Sequence, residues 1–253
     1  MALTTPFQAV HEQFNASFAE YDGWQMPSDF GDSNAELKAL SAHCVAFDLS
    51  SFGRVTISGA SCDKLIEKVL ADKIGDLEDG KWVWAIVTGS DDQLIDTVRV
   101  ARTDGKYTIF TSPGARFAVV DIVKNNAGEG TVIDDITEKT GMLGLYGPDS
   151  AGIVEKILPF DISEITAGRI RNISFFMMSI AVIRGSWAQT EGFEVMCPKG
   201  AASMAAMAVG KYRDHENIVA GGMECLNKAI YNANRPFSII DTPQGKKMQT
   251  TGI

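Results

Sequence analysis

The fold class follows from residues 82–100, which read WVWAIVTGSDDQLIDTVRV. Apolar residues fill both ends of this stretch, and Gly, Ser and Asp are concentrated between them. These small polar residues favour a tight turn, because they adopt turn conformations or hydrogen-bond to nearby backbone groups. We therefore predict two antiparallel strands, 82–87 and 94–100, joined by a turn at 88–92.

Outward from this hairpin, strand and helix patterns alternate along the chain. Residues 54–58 and 107–111 alternate like strands, and apolar residues between 61 and 70 recur at helical spacing. Pro113 opens a second helix pattern, and residues 131–136 read as a closing strand. The order β-α-β-β-(β)-α-β is typical of the ferredoxin-like split unit.

The second half of the chain repeats this order of elements. Its patterns are a strand at 142–146, a helix from Pro148, strands at 173–183 and 193–197, a helix at 201–212 and a strand near Ile218. The predicted fold class is therefore α+β, with two ferredoxin-like (split βαβ) subdomains.

The order of elements also predicts the domain boundaries. The first subdomain comprises residues 1–50, which have mostly helical patterns, together with residues 138–231. The second subdomain comprises residues 51–137. Residues 232–253 are expected to form an irregular tail or an arm that covers a sheet edge.

The composition argues against several classes of partner. The 253 residues carry a formal net charge of -9, which argues against nucleic acid, since duplex binding uses clustered Lys and Arg. The longest apolar run, 173–183, is too short to cross a bilayer. No basic segment followed by an apolar one opens the chain, so we expect a cytoplasmic protein without membrane contact.

Cysteines and histidines have no metal-binding pattern. The cysteines are widely spaced, without a Cys-x-x-Cys pair, and are expected to be reduced. His11, His43 and His215 lie far apart and are expected at surface or capping positions. No metal site is therefore predicted.

Glu194 is the first candidate for ligand binding. It lies between Phe193 and Val195, so a strand would place its side chain on the face opposite to theirs. Such a glutamate is usually solvated, because Glu is rarely buried without a partner. A buried one is suited to the N–H and NH2 edge of a pterin- or guanine-like ring, which two charge-assisted hydrogen bonds hold in plane. Both readings stay open.

Aromatic side chains are the second requirement of such a ligand. Trp82 and Trp84 are two residues apart, so they project from the same face of one strand, and Trp187 precedes Glu194 in the same half of the chain. A flat heteroaromatic ring favours stacking partners in its site. Packing in the core is the alternative, and we favour it for Trp82.

Besides the Trp84 strand and its turn into Ile95-Asp96, four separated phrases carry a family resemblance. They are Asp22-Gly23-Trp24-Gln25-Met26-Pro27; Phe47-Asp48-Leu49-Ser50 followed by Gly53; Leu145-Tyr146-Gly147-Pro148; and the segment from Arg184 to Val195, which contains Glu191-Gly192-Phe193-Glu194. In this order and at these distances they resemble the glycine cleavage T-protein (aminomethyltransferase) family, from about Pro6 to about Lys228. The resemblance implies two ferredoxin-like folate-binding domains that bind tetrahydrofolate in a central channel, followed by a β-barrel.

The resemblance also bears on partners. The C-terminal barrel is expected to be absent, because the chain ends where it would begin. A homodimer or a partner subunit that replaces the barrel is then expected. The other implied partner is a small-molecule methyl donor.

Five residues are implied to bind the cofactor. Glu194 matches the glutamate that holds the pterin ring, and Trp84 matches an aromatic residue that packs near it. Trp187 stands where the family has a tyrosine, and Thr111 where it has an asparagine. Thr97 stands where the aminomethyltransferases have an aspartate that acts on the folate nitrogens.

The change at Thr97 alters the implied chemistry, because Thr cannot supply a negative charge. On a regular strand Asp96 would face away, unless a bulge turns it. Tetrahydrofolate-dependent demethylases also lack that aspartate, and their segment around the glutamate resembles residues 187–194. The resemblance therefore implies a tetrahydrofolate-dependent methyltransferase or demethylase that moves a methyl group from a small donor to N5 of the folate. Tyr146, Asp96 and Arg99 are the candidate catalytic residues.

Three other functions stay open. The chain could be a folate-binding subunit or assembly factor without catalysis. It could be an aminomethyltransferase of a glycine-cleavage-like system. It could also be an interaction module that binds no folate, since fold class alone does not separate these functions.

Overall fold

The computed structural model describes residues 2–89, 93–158, 160–175, 178–233, 237–242 and 245–250. The strands are β1 (Leu3–Thr4), β2 (Ser17–Tyr21), β3 (Trp24–Asp29), β4 (Val45–Asp48), β5 (Gly53–Gly59), β6 (Lys81–Thr88), β7 (Leu94–Thr103), β8 (Lys106–Thr111), β9 (Thr131–Asp135), β10 (Thr140–Tyr146), β11 (Ile170–Phe175), β12 (Met178–Arg184), β13 (Gly192–Pro198), β14 (Val219–Gly221), β15 (Phe237–Thr242) and β16 (Gly245–Thr250). The helices are α1 (Gln8–Gln13), α2 (Ser33–Ala42), α3 (Cys62–Val69), α4 (Arg116–Asn126), α5 (Ser150–Ile157), α6 (Ala202–Glu216) and α7 (Met223–Asn232).

The chain divides into two compact units. The first unit comprises Met1–Ser51 and Glu138–Ala233, and the second comprises Phe52–Thr137 and Asn234–Ile253. Each unit has its own large sheet and its own apolar core, and each also has a smaller sheet, β1-β3-β2 in the first unit and β15-β16 in the second. The second unit therefore interrupts the sequence of the first.

The sheet of the second unit has the order β6-β7-β8-β5-β9, and each neighbouring pair is antiparallel. Without the edge strand β6, this is the arrangement of a ferredoxin-like βαββαβ unit. Helices α3 and α4 pack against β5, because apolar residues such as Leu65 and Ile66 of α3 and Val119 of α4 line the same core. The predicted α+β class with ferredoxin-like order is confirmed here, including the predicted β6–β7 pair.

The sheet of the first unit has the order β11-β12-β13-β10-β4-β14. Strands β10 to β13 and helices α5 and α6 repeat the order found in the second unit. The strand beside β10, however, is β4, which comes from residues 45–48, and β14 pairs with β4 in parallel. The strand predicted near Ile218 is therefore present, but it lies one position further out than its counterpart β9.

Two predictions for the first unit were wrong. Residues 1–50 are not mostly helical, since they contain β1 to β4 as well as α1 and α2. Asp22 and Gly23 have positive φ angles of 49° and 81° and connect β2 to β3, which is the conformation that an Asp-Gly hairpin favours. The apolar run 173–183 is two paired strands rather than one, and it contains no Gly, Pro, Asn or Asp to indicate the reversal.

The predicted tail at 232–253 contains two regular strands. Strands β15 and β16 pair antiparallel, and β16 contacts β6 within the second unit. The first residue of that tail, Asn232, ends α7. Of the helices that the structure describes, none combines the length and the apolar character needed to span a membrane.

Candidate active site

Glu194 is fully buried in the middle of the first unit's sheet. On β13 its neighbours Phe193 and Val195 belong to the apolar core, so Glu194 projects from the opposite face, as the strand period predicts. The hydroxyl of Tyr146, on the neighbouring strand β10, donates a hydrogen bond of 2.5 Å to Glu194 Oε1. The solvated alternative for Glu194 is therefore wrong.

Two glycines make room for the ring of Tyr146, which is fully buried as well. A Cβ at Gly192 would lie 2.7 Å from Tyr146 Cδ1, and one at Gly144 would lie 2.9 Å from Tyr146 Cε1. The ring centroid of Phe47 lies 5.4 Å from that of Tyr146. Gly192, which is part of the phrase Glu191-Gly192-Phe193-Glu194, is thus required by the packing of Tyr146.

A short loop between β12 and β13 brings Trp187 to the same place. Ser186 Oγ donates to the carbonyl of Thr190 at 2.8 Å and accepts from Thr190 N at 2.9 Å, which closes the loop. The backbone N–H of Trp187 donates to Tyr146 Oη at 3.3 Å, and the Trp187 side chain is buried. Trp187, Tyr146 and Glu194 therefore form one hydrogen-bonded group.

In the second unit, aromatic rings surround Arg99. The guanidinium carbon of Arg99 lies 5.2 Å from the ring centroid of Trp82, 5.8 Å from that of Trp84 and 5.5 Å from that of Phe110. Trp82 and Trp84 meet edge to face with centroids 6.0 Å apart, which agrees with their predicted common face. Trp82 is buried and Trp84 is half-buried.

Asp96 lies at a β-bulge. Val87 pairs with Asp96 and Thr88 with Leu94, so Ile95 is the extra residue of β7. The carboxylate of Asp96 accepts hydrogen bonds from Thr97 N at 2.9 Å, Ser112 N at 2.8 Å and Ser112 Oγ at 2.9 Å. The bulge considered in the sequence reading is therefore present, and the carboxylate joins β7 to the residue that follows β8.

Thr97 and Thr111 are both buried in the second unit. Within the part of the chain that the structure describes, the Thr97 hydroxyl has no hydrogen-bond partner. The Thr111 hydroxyl donates to the carbonyl of Ser112 at 2.9 Å. Gly53 is opposite Thr111, and a Cβ there would lie 2.1 Å from the Thr111 hydroxyl oxygen, which explains the need for glycine at that position.

The structure thus forms two groups from the eight candidate residues. In the first unit it brings together Glu194, Tyr146 and Trp187. The second unit contains the other candidates, which are Trp84, Asp96, Thr97, Arg99 and Thr111. No cluster of three or more His, Cys, Asp or Glu suited to a metal ion occurs among the described residues.

The sequence reading missed a buried pair in the first unit. His11 was expected at a surface or capping position, but it is buried, and its Nε2 lies 2.8 Å from Asp48 Oδ2. Burial alone would raise the pKa of Asp48, but hydrogen bonds from His11, Thr5 and Ser50 outweigh it and hold the pKa below its ordinary value of 3.8. Asp48 belongs to the phrase Phe47-Asp48-Leu49-Ser50. Its buried contact with His11 and its bond from Ser50 N give this aspartate a structural role.

Comparison with known proteins identifies the family. Residues 7–233 match the family described as the GCVT N-terminal domain. The chain belongs to this family. The resemblance inferred from the four phrases is therefore confirmed.

Curated proteins that are similar to the chain are aminomethyltransferases by name. An aminomethyltransferase of Cutibacterium acnes is 24% identical over 246 residues, which cover 92% of this chain and 65% of that protein. A probable aminomethyltransferase of Halobacterium salinarum is 29% identical over 158 residues, or 60% of this chain and 44% of that protein. The chain thus spans less than two thirds of the length of these relatives.

A solved structure agrees with the fold. The crystal structure of glycine cleavage system aminomethyltransferase T from Bartonella henselae matches with a TM-score of 0.82 at 19% identity. The match covers 91% of this chain and 62% of that one. Because the identity is low, the match bears on the fold alone, and it confirms the T-protein fold predicted for the chain.

Proposed function

We propose that the chain binds tetrahydrofolate and takes part in the transfer of a one-carbon group. The observation that carries the proposal is the carboxylate of Glu194, which is fully buried and bonded to Tyr146. A buried carboxylate requires hydrogen-bond donors. The edge of a pterin ring offers adjacent N–H and NH2 donors, which suit the two oxygens of one carboxylate.

The chain's other residues support a flat, heteroaromatic ligand. The backbone N–H of Trp187 is bonded to the same Tyr146 hydroxyl, and the Trp187 side chain is buried. The second unit, taken by itself, offers groups of the same kind, because Trp84 is half-buried and, among the described residues, the Thr97 hydroxyl has no hydrogen-bond partner. Stacking on indoles and a few placed polar groups are what such a ligand requires.

The group transferred is proposed to be methyl. Tetrahydrofolate, if bound, would supply a nitrogen, N5, as the acceptor for the methyl group of a small donor. The N5 proton would go to the leaving oxygen of an ether donor, or to solvent when the donor is a sulfonium whose leaving thioether stays neutral. Thr97 places a neutral hydroxyl, rather than a carboxylate, on β7. The chain's contribution is therefore to bind and orient the reactants, which can supply much of the rate of such a transfer.

The three residues expected to be catalytic are proposed to have different roles. Asp96 accepts three hydrogen bonds from Thr97 and Ser112, so we assign it to holding the ends of β7 and β8. Arg99 remains the candidate to act on a leaving group, since it provides a buried positive charge beside two indoles. The hydroxyl proton of Tyr146 is donated to Glu194, so we assign Tyr146 to holding that carboxylate.

Binding of tetrahydrofolate is the first test. Titration followed by tryptophan fluorescence and by calorimetry should give saturable binding, weakened at least tenfold in Glu194→Gln and about a hundredfold in Glu194→Ala, because bonds to a charged group are lost. Glu191→Gln is the matched control, since Glu191 is exposed and pairs with Arg184 at 2.8 Å. No binding in the wild type, or equal binding in Glu194→Gln, would contradict the proposal.

Product analysis then separates a catalyst from a binder. Methyl-tetrahydrofolate should form from a methoxy-aromatic or sulfonium donor in the presence of the wild-type chain. The names of the curated relatives favour a second candidate, aminomethyl transfer. The same assay with an aminomethylated lipoyl carrier protein tests that candidate, and binding without either product supports a folate-binding subunit.

A further inference from the structure

We propose that Tyr146 is a positioning residue, which holds the Glu194 carboxylate and the loop that carries Trp187 in one arrangement. The inference rests on the proposed function, because it assigns to Tyr146 a role in how Glu194 receives its ligand. Its hydroxyl makes a hydrogen bond to each of them, to the carboxylate of Glu194 and to the backbone N–H of Trp187.

The direction of the hydrogen bonds follows from their chemistry. A backbone N–H can only donate, so the Tyr146 oxygen accepts from Trp187 N. A phenol has a single proton, and a carboxylate only accepts, so that proton lies between Tyr146 Oη and Glu194 Oε1. Trp187 N–H therefore donates to the Tyr146 oxygen, and the Tyr146 hydroxyl donates to Glu194.

The phenol ring is held in place from several sides. Gly192 and Gly144 leave less than 3 Å between a hypothetical Cβ and the ring, and Phe47 packs against it. A buried side chain in so small a space has few other rotamers available. The hydroxyl is therefore fixed relative to the sheet, and it fixes one oxygen of Glu194 in turn.

This geometry argues against Tyr146 as the acid for a leaving group. Its proton is already shared with a carboxylate, and a transfer to the donor would break that bond. Removal of the hydroxyl alone would leave Glu194 Oε1 and the N–H of Trp187 without the bond that each makes to Tyr146. The expected loss is in ligand affinity, with the transfer step itself little changed.

A double-mutant cycle on tetrahydrofolate affinity tests the role. Tyr146→Phe keeps the ring and should weaken binding about tenfold, because a hydrogen bond to a charged group is lost. In a Glu194→Gln background the same change should weaken binding clearly less, since the part of its effect that passes through the carboxylate is already lost and only the part that passes through the Trp187 loop remains. A merely structural role would lower stability in both backgrounds without this coupling.

Tyr107→Phe is the matched control. Tyr107 is also fully buried and donates to a carboxylate, that of Asp63, at 2.7 Å in the second unit. Removal of the Tyr107 hydroxyl should leave tetrahydrofolate affinity unchanged. Wild-type affinity in Tyr146→Phe, or equal losses in both backgrounds, overturns the positioning role while the proposed function stands. Absence of binding in the wild type overturns both.

Discussion

The two units share a strand arrangement but bury opposite charges. In the first unit the buried charged side chains are mainly carboxylates, which are Glu36, Asp48 and Glu194. In the second unit they are mainly guanidinium groups, which are Arg54, Arg99 and Arg116. A similar strand order therefore does not determine the sign of the charged side chains that a unit buries.

The partners of these groups differ accordingly. Asp48 and Glu194 accept hydrogen bonds from hydroxyl, imidazole or backbone donors. Arg54 donates to backbone carbonyls, and Arg116 pairs with Asp135 at 2.8 Å. The buried charged groups of the first unit are thus mainly hydrogen-bond acceptors and those of the second unit mainly donors, and three predictions test this contrast.

The largest effect is expected at Arg54. Its guanidinium donates to the carbonyls of Phe52, at 2.7 Å, and Thr137, at 2.5 Å, and the side chain is fully buried. Arg54→Met should lower the free energy of unfolding by about 3 kcal/mol, because two buried carbonyls lose charged donors. Urea unfolding measures the change.

Arg171→Met is the control for that substitution. Arg171 pairs with Glu164 at 3.3 Å on the surface, and such exposed pairs contribute little. Similar losses in both variants would mean that the buried guanidinium has no special role in the second unit.

The next effect is expected at Gly192, in the first unit. Gly192→Ala would place a methyl group 2.7 Å from Tyr146 Cδ1, so the ring must move. Unfolding free energy should fall by about 1–3 kcal/mol, and tetrahydrofolate affinity should fall with it. Gly152→Ala in α5, where a Cβ meets nothing within 4 Å, should instead be neutral or stabilising. A tolerated Gly192→Ala with normal binding would contradict the packing described for Tyr146.

The smallest effect concerns pH. Hydrogen bonds hold the pKa of the buried Asp48 carboxyl below its ordinary value of 3.8. Its contribution to stability is therefore complete above that value and is lost as the pH falls through the folded-state pKa. Urea unfolding between pH 7 and pH 3 should show an acid-dependent loss in the wild type that is smaller in Asp48→Asn.

Asp135→Asn gives the corresponding measurement for the second unit. Burial raises the pKa of Asp135, but hydrogen bonds from Thr137 and Arg116 hold it below the ordinary value too. Because Asp135 is less buried than Asp48, its substitution should change the acid-dependent loss less. The reverse order would contradict the contrast between the units.

Local patterns were sufficient for much of the fold. Strands β6 and β7, the helix with Leu65 and Ile66, and the common face of Trp82 and Trp84 all follow from periodicity and turn residues. The opposite faces of Phe193 and Glu194 follow from the strand period. These features depend on residues that are close in sequence.

The rest depended on distant residues. The Tyr146–Glu194 bond joins residues 48 positions apart, and the His11–Asp48 pair joins residues 37 apart. The register that aligns them is a property of the assembled sheet, so no local pattern indicates it. One missed feature had a local signal, since Asp22-Gly23 is a strong hairpin sequence.

Strand β4 is synthesised before the strands that pair with it. Its neighbours β10 and β14 come from residues 140–146 and 219–221, whereas every strand of the sheet β6-β7-β8-β5-β9 lies between Gly53 and Asp135. As the chain leaves the ribosome, the interior segment can therefore complete its sheet while residues 45–48 still have no partner. Residues 45–48 are then among the last parts of the first unit to reach their native surroundings, and an exposed strand must be protected during that interval.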